Sequence, residues 1–79
     1  MNPNLAVVTI RDSESDIAFK ALSPEAGRDV PRSHIRLRKG EGSFILSIEA
    51  NDVATLRAAL NSYLRWANVA MNVAKEVKE

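Results

Sequence analysis

The length, composition and charge of this chain exclude several classes of protein. Its 79 residues have room for one domain with a modest core, so we predict a single domain over residues 1–79. The lack of cysteine and the single histidine exclude disulfides, thiolate metal sites and multi-histidine metal centres. A net charge of +1 is too small for bulk electrostatics alone to drive strong nucleic-acid binding.

The chain shows no sequence signal for secretion or membrane insertion. Residues 1–4 lack the charged and apolar segments with which a signal peptide begins. No apolar run approaches the length of a membrane span. We therefore expect a soluble protein located in the cytoplasm.

A strand and a helix are predicted first along the chain. Residues 5–10 form a nearly continuous β-branched run, which predicts a strand covered on much of both faces. Ser13 and Asp16 then match a weak capping box at the start of a helix. Because Pro24 is unfavourable inside a helix, we expect this helix to end near Ser23 or a separate turn to begin there.

A β-hairpin is predicted after a loop over residues 26–32. Residues 33–39 and 43–50 have the period-2 pattern of strands, and Gly40 and Gly42 lie in the tight turn between them. The positions expected to face inward are Ile35, Leu37, Phe44, Leu46 and Ile48. Those expected to face outward are His34, Arg36, Arg38, Ile45, Ser47 and Glu49.

A long helix, capped by Asn51 or Asp52, completes the chain. Its apolar positions fill roughly half of the helix circumference, whereas a helix on one sheet needs a stripe of only about 100°. We therefore predict a core face and a second apolar face available to a partner. The apolar positions are Val53, Leu56, Ala59, Leu60, Tyr63, Leu64, Trp66, Ala67, Ala70, Met71, Val73, Ala74 and Val77. The opposite, weakly basic wedge holds Arg57, Asn61, Arg65, Asn68, Asn72 and Lys75.

The order of these elements predicts an α+β fold, β-α-β-β-α. Its three strands would form a mainly antiparallel sheet with both helices packed on one face. Such a small sheet has two open edges, which proteins usually cover or pair. We therefore expect edge-to-edge dimerisation into a six-stranded sheet.

The sequence offers no constellation typical of an enzyme. His34 is predicted to point outward from a strand, and no serine is placed beside it as a nucleophile. Helix capping explains the acidic residues at 12–16, and the glycines at 40 and 42 join two strands rather than a strand and a helix. We therefore expect no catalytic residue, no cofactor and no bound metal.

A basic set of residues is the first candidate for binding. Arg57, Asn61 and Arg65 follow the i, i+4, i+8 spacing of one helix ridge, which could meet a phosphate backbone. The other members of the set, on the second strand, are Arg32, Arg36, Arg38 and Lys39. The alternative is a solvated face with intramolecular partners such as Glu49.

The aromatic pair Tyr63 and Trp66 is the second candidate for binding. These rings are three residues apart on the long helix, so they lie near one another and could stack bases. They fall within the apolar arc, however, where packing in the core or against a protein partner is favoured. Tyrosine and tryptophan are common anchors of protein interfaces.

Residues 56–66, LRAALNSYLRW, closely resemble the helix signature of the Pcc family. This family includes the small subunit of the KEOPS (EKC) complex and the human cancer/testis antigens of the CTAG group. The resemblance covers the whole chain in the order of its elements, from the first strand to the long helix. Its most specific part is the run Asn-Ser-Tyr-Leu-Arg-Trp.

The resemblance implies a non-catalytic, archaeal subunit of KEOPS, the complex that makes threonylcarbamoyl-adenosine at position 37 of tRNA. Such a subunit forms a homodimer, docks its helices onto the transferase subunit and helps to hold tRNA in the assembled complex. The implied partner interface contains Phe19, Leu22, Tyr63, Trp66, Ala70, Val73 and Val77. The candidate tRNA-binding positions are then Arg36, Arg38, Arg57, Asn61 and Arg65.

Two alternative interpretations differ in the partner. A paralogous KEOPS subunit would pair with the Pcc-type protein as a heterodimer. A stand-alone RNA-binding module would use the open sheet face, but such modules stack bases on strand aromatics, and Phe44 is expected to face the helices. The chain also has Ala67 and Asn68 where family members often carry a bulkier apolar residue and a lysine, which reduces the local positive charge.

Overall fold

The computed structural model describes residues 4–26 and 33–77, and its element order confirms the predicted α+β fold. Within these ranges, strands and helices follow one another as β-α-β-β-α. The elements are β1 (Asn4–Arg11), α1 (Ser15–Ala26), β2 (Ser33–Gly40), β3 (Ser43–Ala50) and α2 (Val53–Val77). The predicted loop lies outside the described residues from position 27 to Arg32.

The strands form one antiparallel sheet in the order β1-β3-β2, with β3 in the centre. Gly40 pairs with Ser43, which confirms a tight, two-residue turn between β2 and β3. Gly42 in this turn has a φ of 67°, in the left-handed region that glycine adopts without steric cost. Within the described part of the chain, β1 and β2 are each paired along one edge only.

Both helices pack on one face of the sheet, as predicted, and the core lies between the two layers. The inward side chains of β3 are almost inaccessible, since Phe44 is 1% exposed and Leu46 and Ile48 are 0% exposed. The ring of Phe19 packs edge-to-face against Phe44, with 5.9 Å between ring centroids. The helices contribute the remaining buried members of this cluster, which are Ala18, Leu22, Tyr63 and Ala67.

The expectation that β1 is covered on both faces is wrong. Exposure alternates along the strand, and Leu5 and Val7 are 62% and 59% exposed. Because both helices lie on the other side of the sheet, the outward side chains of this apolar strand have no covering layer. The β-branched sequence here favours an extended backbone without being buried on both faces.

The first helix departs from prediction at both ends. α1 continues two residues beyond Pro24, which lies inside it. Pro24 lacks the N–H that would bond the carbonyl of Lys20, and since Lys20 is exposed, water can replace that bond. At the other end the hydroxyl of Ser13 bonds to Asp12 instead of capping the helix, and Asp12 Oδ1 accepts a hydrogen bond from the Glu14 N–H at 2.9 Å in an Asx turn that precedes α1.

The long helix α2 begins directly after Asp52, as predicted. The Asp52 carboxylate accepts two hydrogen bonds from Thr55, one from its N–H at 2.7 Å and one from its hydroxyl at 2.9 Å. Near the other end of α2, Lys75 Nζ lies 2.9 Å from Asp12 Oδ2. The helix is therefore capped at its start and tied near its end to the junction of β1 and α1.

Candidate interaction surfaces

Helix α2 buries one side in the core and leaves a second apolar side exposed. Tyr63 and Ala67 are 5% and 1% exposed and face the sheet. Trp66, Val69 and Val73 are 44%, 54% and 53% exposed and follow one another at helical spacing, forming what we call the outer stripe. The prediction of two apolar faces on this helix is therefore confirmed in its geometry.

Val69 belongs to the outer stripe although it was not among the predicted apolar positions of α2. This residue lies three positions after Trp66, about 60° further around the helix, at the margin of the polar wedge. A valine at that margin is exposed in the folded chain, and it widens the apolar surface beside Trp66 and Val73. Its spacing could have predicted its place in the stripe, because Val69 lies three residues after Trp66 and four residues before Val73.

A groove of about 570 Å³ runs beside the first half of α2. It lies where the end of α1, the start of β2 and α2 meet, and it is open to solvent. Its lining residues are Glu25, Ser33, Ile35, Ala54, Thr55, Ala58, Ala59, Ser62, Tyr63 and Trp66. The groove is open because most of the side chains that α2 contributes to its lining are small. Trp66 lies both in the groove lining and in the outer stripe, so the two surfaces are continuous.

The aromatic pair joins the core to the exposed surface. The rings of Tyr63 and Trp66 meet edge-to-face, with 5.2 Å between centroids and 63° between planes. Because Tyr63 is held in the core, its ring restricts the orientation of the half-exposed Trp66 indole. Trp66 lies at the end of the groove and is 44% exposed.

The structure corrects the assignment of Leu22 and Tyr63 to a partner interface. Leu22 is 0% exposed and Tyr63 is 5% exposed, so both pack inside this chain, and Tyr63 contributes only a small area to the lining of the groove. Phe19 is half-buried against Phe44, and Lys39 Nζ lies 6.0 Å from the centroid of its ring.

The remaining predicted interface positions lie on α2. Trp66 and Val73 are exposed in the outer stripe, and Ala70 is half-buried between this stripe and the core. The side chain of Val77 lies outside the described residues. The exposed apolar surface that α2 offers is therefore centred on Trp66 and Val73.

The predicted basic residues lie on two different surfaces. Arg36 and Arg38 are exposed on the open face of the sheet, on the side away from the helices. Arg57, Asn61 and Arg65 are exposed on α2 and form the predicted helix ridge. Since the sheet and the core separate the two sets, they cannot contact one short ligand together.

Intramolecular ion pairs do not account for these arginines. The ion pairs between described residues are Lys39–Asp16 at 3.7 Å and Lys75–Asp12 at 2.9 Å. Glu49, proposed above as an intramolecular partner, makes no ion pair within residues 4–26 and 33–77. The positive charge on both surfaces is therefore available to an external ligand.

The contact between Lys75 and Asp12 changes the titration of the carboxylate. The hydrogen bond from Lys75 Nζ lowers the pKa of Asp12, and the hydrogen bond from the Glu14 N–H lowers it further. Because both bonds favour the charged form, the Asp12 carboxylate remains ionised at neutral pH. The ammonium group of Lys75 is therefore engaged within the chain, unlike the guanidinium groups of the helix ridge.

The described residues contain few groups that could perform chemistry. His34 is exposed on the open sheet face, in a shallow depression that it shares with Arg36 and Glu49. No three His, Cys, Asp or Glu side chains within residues 4–26 and 33–77 converge on a metal-binding arrangement. Neither helix of this part of the chain combines the length and apolar character needed to cross a bilayer.

Comparison with known proteins confirms the resemblance to the Pcc family. The family model described as Transcription factor Pcc1 matches residues 6–75, which include most or all of each element from β1 to α2. KEOPS complex subunit Pcc1 of Pyrococcus abyssi (strain GE5 / Orsay) is 45% identical over 42 residues. This alignment covers 53% of the present chain and spans about half, 51%, of that relative. The extent of the family match shows that the chain belongs to the Pcc1 family.

Proposed function

We propose that this chain is a non-catalytic subunit of the KEOPS complex that supports threonylcarbamoyl-adenosine formation at position 37 of tRNA. The observation that carries the proposal is the family match over residues 6–75, together with a relative named KEOPS complex subunit Pcc1. The surface of the chain supports a binding role, because it offers an outer apolar stripe and because Arg36, Arg38, Arg57 and Arg65 make no ion pair with other described residues.

The transferase subunit of KEOPS is the proposed partner of α2. The outer stripe and the adjoining groove present apolar surface that a partner helix could cover, with Trp66 as its anchor. A stable interface buries about 800 Å² on each partner. That is roughly one seventh of the 5677 Å² exposed by the chain, an area that one side of a two-layer domain can supply.

A second copy of the chain is the proposed partner of a sheet edge. The order β1-β3-β2 leaves a strand of eight residues open at each edge of a three-stranded sheet. Pairing two such edges would satisfy their backbone groups and create a six-stranded sheet with a larger core. Dimerisation at a sheet edge would leave the outer stripe of each protomer available to a transferase subunit.

Light-scattering mass after gel filtration tests these assemblies, first for the chain alone and then for the chain mixed with the transferase subunit. We expect a homodimer of about twice the 8.7 kDa chain mass, and a larger stoichiometric complex in the mixture. A monomer that does not bind the transferase would contradict the proposal. A chain that dimerises only after a paralogous Pcc-type protein is added would replace the homodimer with a heterodimer.

A pair of single-charge variants locates the transferase contact. Val73→Asp places a carboxylate in the outer stripe, whereas Asn72→Asp adds the same charge to the neighbouring, polar side of α2. Both positions are exposed, so both variants should remain folded. We expect Val73→Asp to prevent formation of the transferase complex and Asn72→Asp to preserve it. Equal behaviour of the two variants would place the contact on another surface.

A further inference from the structure

The open face of the sheet has an apolar side and a basic side. Leu5 and Val7 of β1 are 62% and 59% exposed, more than any other large hydrophobic side chain of the described residues. Arg36 and Arg38 of β2 are exposed on the same face and make no ion pair with described residues. Because β3 lies between β1 and β2, one strand separates the apolar pair from the arginine pair.

A shallow channel runs along β3 between these two sides. Directly paired residues of an antiparallel sheet project to the same face. Ser47 therefore lies between Val7 and Arg36, and Ile45 lies beside Arg38. Two depressions of about 250 and 570 Å³ adjoin here and share Arg36 and Ser47 in their linings. We call this surface the sheet channel.

The dimensions of the sheet channel suit one α-helix. Neighbouring strands lie about 4.8 Å apart, so β1 and β2 are roughly 10 Å apart, close to the diameter of a helix with its side chains. The Cα atoms of Arg36 and Arg38 are roughly 7 Å apart along β2. Residues at i and i+4 of a helix are separated by about 6 Å along its axis, so two acidic side chains at this spacing could meet both arginines.

We propose that the sheet channel binds an amphipathic α-helix of a partner protein. The apolar side chains of this helix pack on Leu5 and Val7, and two carboxylates at i and i+4 contact Arg36 and Arg38. Guanidinium groups bind carboxylates in a bidentate manner, which fixes the orientation of the helix. The bound helix covers the face of the sheet opposite α2, so the inference concerns a second partner site beyond the proposed function.

Two features favour a protein helix over a nucleic-acid backbone as the occupant. Leu5 and Val7 are aliphatic, so a phosphate backbone would leave their exposed surface without a matching contact. Glu49 lines the channel beside Leu5, and its carboxylate would repel phosphate. A combination of aliphatic and charged side chains is instead typical of a protein interface with an apolar centre and a polar rim.

Binding of a labelled peptide to the full chain tests this proposal. The probe is a designed alanine-based helix of about 18 residues, which rises about 27 Å and so matches the eight-residue strand β3. It carries leucines along one stripe and two glutamates at i and i+4 on the flank, and a control peptide has glutamines in place of the glutamates. We expect fluorescence anisotropy to show at least about fivefold tighter binding of the glutamate peptide at low salt. No detectable binding at about 1 mM peptide would overturn the proposal.

A matched pair of apolar variants tests the location of the contact. Leu5→Thr/Val7→Thr reduces the apolar surface of the sheet channel and keeps β-branched, strand-forming residues. Val69→Thr/Val73→Thr makes a similar change in the outer stripe, where threonine and valine have similar helix propensities. We expect about a tenfold loss of peptide affinity for the sheet variant only, and loss of the transferase complex for the stripe variant only. Equal losses of peptide affinity would overturn the proposal, because they would indicate unspecific apolar adhesion.

A matched pair of charge variants tests the role of the arginines. Arg36→Gln/Arg38→Gln and the control Arg57→Gln/Arg65→Gln each remove two positive charges from exposed positions. We expect only the sheet variant to lose the preference for the glutamate peptide. Equal losses in both variants would show that net charge alone matters and would overturn the proposal.

The remaining outcomes separate this inference from the proposed function. A tRNA transcript that binds this face when the peptide does not would overturn the proposal of a protein helix. Loss of the transferase complex in the sheet variants would overturn the assignment of the channel to a second partner. Absence of peptide binding with an intact transferase complex would overturn this inference alone and leave the proposed KEOPS role standing.

Discussion

The two faces of the sheet carry the same strands but have different roles. On the helix side, Phe44, Leu46 and Ile48 of β3 are at most 1% exposed and form the centre of the core. On the other side, the alternate residues Ile45, Ser47 and Glu49 are half-buried or exposed and have no covering layer. Because successive side chains point to opposite faces, one strand can hold the fold together with half of its residues and present a binding surface with the rest.

Helix α2 likewise has a buried face and an exposed face, separated by the helical period instead of by strand alternation. Tyr63 and Ala67 pack into the core, whereas Trp66, Val69 and Val73 remain outside it. In each element, burial separates residues that form the core from residues that remain exposed and that we propose for association. Substitutions matched in chemistry but different in burial should separate these two properties.

The largest expected effect tests the comparison of the two sheet faces within β3. Ile48→Ala and Ile45→Ala remove the same atoms from the same central strand, so differences in strand propensity cancel. Ile48 is 0% exposed, so its truncation should lower the free energy of unfolding by about 2–5 kcal/mol. Ile45 is half-buried, so its truncation should cost about 1 kcal/mol. Chemical denaturation of both variants measures the two values, and equal losses would show that the open face is covered in solution.

A stability difference of similar size is expected between the two aromatic residues of α2. Tyr63→Ala removes a buried ring and should cost about 3–5 kcal/mol, whereas the half-exposed Trp66 should contribute about 1–2 kcal/mol. Both variants lose the edge-to-face contact between the rings, so that term does not distinguish them. Thermal denaturation should therefore give a lower melting temperature for Tyr63→Ala than for Trp66→Ala.

The same pair of variants tests whether Tyr63 contributes to folding and Trp66 to assembly. Trp66→Ala should remain folded and weaken binding to the transferase subunit by at least about 30-fold, the loss expected when an interface anchor is truncated. Calorimetric titration of the folded variant with the transferase measures this loss. Unchanged affinity would show that Trp66 is not an anchor, and unfolding as severe as in Tyr63→Ala would place its role in the core.

Local sequence patterns predicted the elements whose neighbours are close in the chain. Strict alternation located the inward residues of β2 and β3, and Asp52 marked the start of α2. These features depend on side-chain period and on a cap within three residues, so they can be inferred without the tertiary structure. The errors in β1 and at Pro24 arose because covering layers and solvent access depend on the whole fold.

The candidate interface could be predicted as a surface but not residue by residue. The wide apolar arc indicated that α2 has two apolar faces, but it did not show which residues the sheet would cover. Tyr63 and Trp66 are only about 60° apart around the helix, and one is buried while the other is half-exposed. Leu22 was misassigned for the same reason, since its burial depends on how α1 packs against α2 and the sheet. The separation of the basic residues onto two surfaces likewise requires the relative placement of helix and sheet.

The smallest expected effect concerns the charged contact between Lys75 of α2 and Asp12. Asp12 lies at the junction of β1 and α1, so this contact joins the long helix to the start of the domain. Its hydrogen bonds lower the pKa of Asp12 below the ordinary 3.8, so the contact stabilises the fold above that value and is lost as the pH falls through the lowered pKa. Lys75→Gln should therefore lower the melting temperature slightly at pH 7. The difference between the two proteins should shrink as the pH is lowered from about 4 toward 2.

Asp12→Asn provides the control for this pH dependence. It removes the charge but keeps a side-chain oxygen that can accept the hydrogen bond from the Glu14 N–H. In this background, Lys75→Gln should change the melting temperature equally at every pH, because the titrating partner is gone. A difference that did not shrink between about pH 4 and pH 2 in the unmodified background would show that Lys75 stabilises α2 through its aliphatic packing or the helix dipole instead. The pH series therefore separates a charge contact between the two layers from stabilisation within α2 alone.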